Sequence, residues 1–168
     1  MEKKLAILFI TLLTGFLNCQ SSQDDNTYFA EELLLAVNRL RVSGCQCGDT
    51  YMPAVKPLQW NDELAEAALR HARDMADNQW FEHTGTDGSN IAWRVSEAGY
   101  DWEAVGENIA HGYKSIPAVV EGWRKSPGHC RNLMKAAYVE MGVARVGNYW
   151  AQTLAKPRKE RMLERTRE

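Results

Sequence analysis

Two histidines and one glutamate are the residues of this sequence best placed to do chemistry. His83 stands in F-E-H-T-G, where a predicted helix passes into a loop, and His129 stands in S-P-G-H-C, behind a rigid Pro-Gly turn. A histidine on constrained backbone suits metal binding or acid–base work. Glu107 stands in V-G-E-N-I-A, an otherwise apolar predicted strand, and a buried carboxylate is costly unless it is paired. We therefore predict a ligand site at His83, Glu107 and His129, with His83 and His129 as candidate ligands of a divalent cation such as zinc.

Other kinds of site have no signature in the sequence. It contains no H-E-x-x-H, G-x-S-x-G, G-x-G-x-x-G or P-loop motif. The net charge is −2, so the overall charge gives no reason to expect nucleic acid as a partner. His71 lies in an alanine-rich predicted helix, and we assign it a structural or surface role.

Three cysteines, Cys45, Cys47 and Cys130, are candidates for a disulfide. An exported protein can keep one, and we expect Cys130 to pair with either Cys45 or Cys47, leaving the third thiol free or intermolecular. A Cys45–Cys47 bond is disfavoured because residues two apart close a strained ring. A zinc site built from all three is also disfavoured, because it lacks the usual C-x-x-C spacing.

The first 19 residues predict export. Glu2, Lys3 and Lys4 precede an apolar run of about 13 residues, which is the layout of a secretory signal. This run is shorter than the roughly 20 residues that a membrane-spanning helix needs. Cys19 follows it, where a lipoprotein carries its acylated cysteine, so lipid anchoring at Cys19 and simple secretion both stay open.

The rest of the chain reads as one domain between two polar ends. Residues 20–27 predict a tether, residues 28–155 a single domain, and residues 156–168 a charged, solvated tail. The composition, 45% apolar and 25% charged, is that of a globular protein.

Hydrophobic spacing and turn residues predict a mixture of helices and strands. The predicted helices cover 27–42, 61–78, 90–98, 116–125 and 130–137; a strand covers 105–110, a hairpin joins 141–146 to 149–154, and a loop covers 48–57. Because helices and strands do not alternate regularly, the predicted class is α+β.

Five segments together resemble the CAP superfamily, which includes cysteine-rich secretory proteins, insect venom antigen 5 and plant pathogenesis-related proteins. The segments are H-T-G-T-D-G-S from His83, A-G-Y from Ala98, G-E-N-I-A-H-G-Y from Gly106, G-W-R-K-S-P-G-H-C-R-N-L-M from Gly122 and M-G-V-A from Met141. The resemblance is strongest to the bacterial SCP-like extracellular branch, and it covers residues 28–155.

The resemblance implies an α-β-α sandwich with a central antiparallel sheet and a large surface cleft. The cleft of the family carries two histidines and two acidic residues, and His83, Glu107 and His129 match three of them. Some members bind zinc or another divalent cation through the two histidines.

The second acidic residue of the family is missing. Its position, two residues after Trp123, holds Lys125. Glu121 lies on the other side of Trp123, and residues two apart on a helix do not share a face, so the role does not pass to Glu121.

Two functions are consistent with a site formed by His83, Glu107 and His129. The first is a non-catalytic binding module for a lipid, a sterol or another cell-envelope ligand, with membrane contact only through an N-terminal lipid anchor. The alternative is a metal-dependent hydrolase or protease, in which His83 and His129 hold the metal and Glu107 is the general base. The missing second carboxylate favours the binding module.

Overall fold

The computed structural model describes residues 15–158, with side chains from Tyr28 to Arg158. Most of the predicted signal segment, the side chain of Cys19 and tail residues 159–168 lie outside the described residues. In chain order the elements are α1 (Gly15–Ser43), β1 (Cys45–Cys47), β2 (Thr50–Met52), β3 (Gln59–Trp60), α2 (Asp62–Asn78), α3 (Ile91–Glu97), β4 (Trp102–His111), α4 (Ile116–Lys125), α5 (Pro127–Leu133), β5 (Glu140–Val146) and β6 (Tyr149–Pro157).

Helix α2 forms where its cap and its apolar spacing predict it. The side chain of Asn61 accepts a hydrogen bond from Leu64 N at 3.0 Å, which satisfies an amide that the first turn leaves unpaired. Asp62 and Glu63 add negative charge at the positive end of the helix dipole. Helix α3 likewise begins after the cap Asn90, as predicted.

Some predicted boundaries were wrong. Helix α1 begins at Gly15, so residues 20–27, predicted as a tether, have helical backbone. The predicted loop at 48–57 contains strand β2, which pairs with β1 in a short antiparallel hairpin. The predicted bounds of α4 are confirmed, and the side chain of its N-cap residue Ser115 makes no capping hydrogen bond.

The ends of two further elements also differ from the prediction. Helix α5 begins at Pro127 and ends at Leu133, instead of covering 130–137. Proline is well suited to the first turn of a helix, where its missing N–H would have no partner. Strand β6 runs to Pro157, so residues 156–157 belong to the sheet and not to the predicted tail.

The main sheet has the strand order β3-β5-β6-β4. The predicted hairpin is confirmed: β5 and β6 pair antiparallel up to Val146 and Tyr149, and Gly147 takes the positive φ of 57° that the two-residue turn requires. Strand β4 pairs antiparallel with β6, and the two-residue β3 pairs parallel with β5. The sheet is therefore mainly antiparallel, with β4 at one edge.

Helices cover both faces of this sheet, as expected for an α-β-α sandwich. Successive strand residues point to opposite faces. Met141, Val143, Trp150 and Leu154 pack in one core cluster with residues of α1, α4 and α5. The alternate residues face α2 and α3, and they include Ala144, Ala151 and Ala155. The α+β class and the sandwich are confirmed.

On the side of edge strand β4 that faces away from β6, backbone carbonyls accept hydrogen bonds from side chains later in the sequence. Three alternate carbonyls each accept one hydrogen bond, which satisfies backbone groups that an edge strand would otherwise leave open. The bonds run from Tyr138 Oη to Val105 O at 3.0 Å, from Asn132 Nδ2 to Glu107 O at 3.0 Å and from Trp123 Nε1 to Ile109 O at 3.3 Å.

A buried arginine fixes the end of α5. Arg41 is fully buried, and its guanidinium donates to the carbonyls of Lys56 at 2.8 Å, Leu133 at 2.6 Å and Tyr138 at 3.0 Å. Burial lowers the pKa of Arg41 to about 10, so the group stays charged at neutral pH. The carbonyls satisfy a charge that burial would otherwise penalise, and they tie α1 to the segment that carries His129.

Gly142 sets the distance between β5 and α2. A Cβ at this position would clash with backbone atoms of Leu64 and Ala65, whereas a Cβ at Gly128 would have no atom within 4 Å. We expect Gly142→Ala to lower the free energy of unfolding by about 1–3 kcal/mol or more, because backbone cannot yield as a side chain does. Urea unfolding of Gly142→Ala and of the control Gly128→Ala measures this effect. Equal midpoints for the two variants would contradict the close packing.

Candidate functional site

The candidate site is built around edge strand β4, which elements from both layers reach. The side chain of Glu107 points to the layer of α2 and α3, where it meets His83. The next residue, Asn108, points to the opposite layer, and its Nδ2 donates to the backbone carbonyl of His129 at 3.3 Å and to Gln152 Oε1 at 2.9 Å. Two adjacent strand residues thus connect the segments that carry the two histidines.

Both carboxylate oxygens of Glu107 have a partner. Oε1 lies 2.7 Å from His83 Nδ1, and Oε2 accepts a hydrogen bond from Arg94 Nη2 at 2.7 Å. The side chain of Glu107 is only 3% exposed. Burial alone would raise its pKa, but the His83 hydrogen bond and the charge of Arg94 act against burial, and the pKa lies below the ordinary value of 4.5.

Arg94 connects the carboxylate to the loop that follows α2. This guanidinium is as buried as Glu107, and Nη2 also donates to the carbonyl of His83 at 3.0 Å. Its Nη1 donates to the carbonyl of Ser89 at 2.9 Å. One side chain therefore neutralises Glu107 and holds the backbone of His83 in place.

His71 completes the buried part of the site. Its Nε2 lies 3.7 Å from Glu107 Oε1, its side chain is fully buried, and neither ring nitrogen has a hydrogen-bond partner among the described residues. Burial lowers the pKa of His71, against the charge of Glu107. We conclude that His71 is neutral at pH 7, a buried structural residue as predicted, but one in contact with the site.

His83 presents one ring nitrogen outward. Its side chain is 59% exposed, and Nδ1 is held by Glu107 on the buried side. Since an ionised carboxylate only accepts hydrogen bonds, Nδ1 carries the proton. The neutral ring then has its lone pair on Nε2, on the far side from Glu107. The hydrogen bond to Glu107 raises the pKa of His83 above 6.5.

His129 comes from α5 and is half-buried. The adjacent Cys130 forms a disulfide with Cys47, which ties α5 to strand β1. Burial lowers the pKa of His129, and the charge of the nearby His83 adds to this effect. The pKa values of the two histidines therefore move in opposite directions.

The ligand atoms of His83, Glu107 and His129 do not all lie within 4.8 Å of one another. Within residues 28–158, the one group of three histidine, cysteine or acidic ligand atoms that all lie within 4.8 Å of one another is Cys45, Cys47 and Cys130. Two of these sulfurs form the disulfide, so only Cys45 keeps a free thiol. Glu107 therefore stands behind His83 as its hydrogen-bond partner, in the way that carboxylates orient metal-binding histidines.

Glu121, the acidic residue nearest the missing family position, is engaged elsewhere. Its carboxylate pairs with Arg124 at 2.6 Å and with Lys125 at 3.6 Å along α4. The hydrogen bond from Arg124, with the charges of both neighbours, lowers the pKa of Glu121 to about 2. The fourth role stays unassigned, as the sequence indicated.

Sequence reasoning missed the contacts of His71 and Arg94. His71 falls on the predicted apolar face of its helix, and a polar residue there signals a buried partner. Arg94 carried no such signal, because a charged residue in a short helix is usually solvated.

Removal of Arg94 would leave the Glu107 charge buried without its cation. We expect Arg94→Met to lower the free energy of unfolding at pH 7 by about 3 kcal/mol or more. In the control Arg70→Met, which breaks the exposed pair with Asp87, the loss should stay below about 1 kcal/mol. Denaturant unfolding measures both losses. A Glu107→Gln/Arg94→Met double variant should recover part of the stability that Arg94→Met loses. Equal losses in Arg94→Met and Arg70→Met would refute the role of Arg94 as the counter-charge of Glu107.

The opposite pKa shifts of His83 and His129 should be visible by NMR. We expect the His83 ring to titrate above pH 6.5 and the His129 ring below it. Because the folded pKa of His83 is raised, its contribution to stability is present below pH 6.5 and is lost as the pH rises through the folded value. Glu107→Gln should move the His83 titration back toward 6.5, whereas Glu103→Gln, which removes the exposed partner of Lys156, should not. An unchanged His83 titration in Glu107→Gln would disprove that the hydrogen bond to Glu107 raises the pKa of His83.

Comparison with known proteins assigns this chain to a family. The model of the cysteine-rich secretory protein family, CAP, matches residues 34–153. Two proteins of Bacillus subtilis (strain 168) are similar in sequence: the uncharacterized membrane protein YlbC, 36% identical over 99 residues, and the uncharacterized protein YkwD, 32% identical over 100 residues. These alignments cover 59% and 58% of this chain but only 29% and 39% of the relatives.

Two solved structures share the fold. An extracellular protein with an SCP domain from Bacillus anthracis str. Ames has a TM-score of 0.67 at 23% identity, over 77% of this chain and 41% of that protein. An outer surface protein of Borrelia burgdorferi has a TM-score of 0.62 at 18% identity, over 82% of this chain and 96% of that protein. The match of the family model over residues 34–153 shows that the chain belongs to the CAP family of cysteine-rich secretory proteins.

Proposed function

We propose that this CAP domain is a non-catalytic binding module that works outside the cytoplasm, secreted or held to the envelope by a lipid on Cys19. Its ligand binds in the cleft between His83 and His129, and its chemistry is that of a lipid, a sterol or another cell-envelope component. A divalent cation such as zinc, held by the two histidines, is part of the same proposal.

The state of Glu107 is the observation that carries this proposal. The carboxylate is 3% exposed and bound on both oxygens, whereas His83 above it is 59% exposed. A general base must be able to reach the proton that it removes, and here each oxygen of the buried carboxylate already has a hydrogen-bond partner. Glu107 is therefore suited to orient His83, and the cleft presents histidines and not a reactive carboxylate.

The surface next to His83 supports a ligand with an apolar part. Trp80 and Phe81, just before His83, are 45% and 46% exposed. The ring of Phe81 packs 5.9 Å from that of His111 and 6.4 Å from that of Tyr149. Exposed aromatic rings beside a polar site favour amphipathic ligands, which a lipid or a sterol exemplifies.

Export is supported by three observations. The charged start and apolar run of the first 19 residues have the layout of a signal, and the disulfide Cys47–Cys130 suits an oxidising compartment. The solved structures of the same fold are described as extracellular or outer-surface proteins. Within the described part of the chain, none of the helices combines the length and the apolar character that crossing a bilayer requires.

The residues present fit a cation bound by two histidines. His83 Nε2 carries a lone pair on the solvent side, because Glu107 holds the proton on Nδ1, and this carboxylate–histidine arrangement is common behind metal ligands. His129 has a lowered pKa, which keeps its ring neutral and able to bind metal near neutral pH. A bound ion would supply a positive charge to which an anionic or polar ligand group can bind.

Zinc titration by calorimetry tests the cation part of the proposal. Wild-type protein should bind zinc, and His83→Ala and His129→Ala should each abolish the binding, because two protein ligands cannot be reduced to one without loss of the site. His111→Ala, which removes an exposed histidine from the adjacent aromatic cluster, is the matched control and should bind as wild type does. An absence of binding heat at millimolar zinc would refute the cation site and the hydrolase alternative together.

Ligand binding is tested separately. Wild type, the His83→Ala/His129→Ala variant and a Glu103→Gln control, which changes an exposed residue away from the two histidines, are passed over lipid vesicles, sterols and cell-envelope glycans. The proposal expects a ligand that the wild type and control retain and the double variant loses. A ligand that all three retain would place binding outside the cleft, and turnover of a peptide or ester by zinc-loaded wild type would favour the hydrolase.

A further inference from the structure

Three sulfur atoms meet where the β1–β2 hairpin touches α5. Cys47 and Cys130 form the disulfide, and the free Cys45 has its Sγ 3.5 Å from Cys130 Sγ and 3.9 Å from Cys47 Sγ. Neither role proposed for the cleft uses this third sulfur. A thiol in van der Waals contact with both sulfurs of a disulfide is the starting arrangement for thiol–disulfide exchange.

We propose that Cys45, Cys47 and Cys130 form a thiol–disulfide exchange site, in which Cys45 displaces Cys47 from the disulfide. The Cys45 thiolate forms a bond to Cys130 Sγ, the Cys47–Cys130 bond breaks, and Cys47 leaves as a thiolate that takes up the proton Cys45 lost. One disulfide and one thiol are present before and after the step, so it needs neither oxidant nor reductant.

The geometry selects Cys130 as the sulfur that is attacked. Attack on Cys47 would close a Cys45–Cys47 bond between residues two apart, in a strained ring. Attack on Cys130 joins segments that are already adjacent, and Cys45 Sγ is nearer to it. The similar distances to both sulfurs place Cys45 beside the disulfide, so a rotation of its side chain must bring it in line before it reacts.

The three cysteines differ in exposure, and this difference determines which disulfide an external thiol can reach. Cys47 and Cys130 are fully buried, whereas Cys45 is partly exposed. An external thiol has no access to the Cys47–Cys130 bond, but it can reach the Cys45 sulfur of the exchanged Cys45–Cys130 bond. Cys45 is thus the route by which a dithiol reductant opens a buried disulfide.

The charge of Arg124 is also favourable. Burial raises the pKa of the Cys45 thiol above its ordinary value, and the charge of Arg124 offsets only part of this rise. A cation beside a cysteine stabilises the thiolate, which is the nucleophile of the exchange. The exchange would also move the anchor of α5 from Cys47 to Cys45, beside His129.

Reduction of the folded protein by dithiothreitol tests the proposal. The disulfide of wild-type protein should be reduced at least about tenfold faster than that of Cys45→Ser, because exchange rates depend on access to the sulfur that is attacked. Gln46→Ser, which changes the exposed residue between the two cysteines, is the matched control and should react as wild type does. Equal rates for wild type and Cys45→Ser, in proteins with the same melting temperature, would overturn the proposal.

A second variant decides the question if Cys45→Ser fails to fold. Cys47→Ser, treated with oxidised glutathione, should form a Cys45–Cys130 disulfide. Mass spectrometry of a tryptic digest identifies this bond as a cross-link between the peptides that carry Cys45 and Cys130. Recovery of Cys45 and Cys130 as separate thiols or glutathione adducts would exclude the exchange. Neither measurement involves a cleft ligand, so the result is independent of the proposed binding function.

Discussion

The need to neutralise one buried carboxylate organises the centre of this protein. Glu107 sits in an edge strand with its side chain almost completely enclosed, and its charge is tolerated because Arg94 and His83 bind its two oxygens. Arg94 in turn binds the backbone of the loop that carries His83. Arg94, which compensates the buried charge of Glu107, thus also fixes the geometry of the exposed His83. Stability and site geometry therefore depend on the same contacts. His71 adds a neutral ring at the back of this cluster.

The position of Glu107 in the sheet explains how distant parts of the sequence meet at one sheet edge. Because β4 is the last strand of the sheet, the loop after α2 and the helix α5 both reach its open side, from opposite layers. Glu107 and Asn108 point to these two layers in turn and bind one segment each. The disulfide to Cys130 and the bonds of Arg41 to the end of α5 hold the second segment. An interior strand also faces both layers, but its neighbouring strands would keep the two segments apart at the sheet.

Much of the fold was predictable from local signals. The cap at Asn61 and the turn at Gly147 act within a few residues, and both elements formed where expected. Glu107 and His83 stood out as polar residues on an apolar or constrained backbone, and that argument needs no distant partner. Arg94 was not predictable as the counter-charge, since nothing local distinguishes it from a solvated arginine. The sequence also could not show whether Cys45 or Cys47 pairs with Cys130, because residues two apart on a strand share a face.

The hydrogen bonds along the outer side of β4 have a consequence for recognition. An open edge strand is a template on which another polypeptide can add a strand, and many peptide-binding domains work in this way. Here the carbonyls of Val105, Glu107 and Ile109 are already occupied by the side chains of three other residues. This edge therefore does not accept a partner through backbone pairing. The occupied carbonyls also protect this side of the sheet from edge-to-edge aggregation.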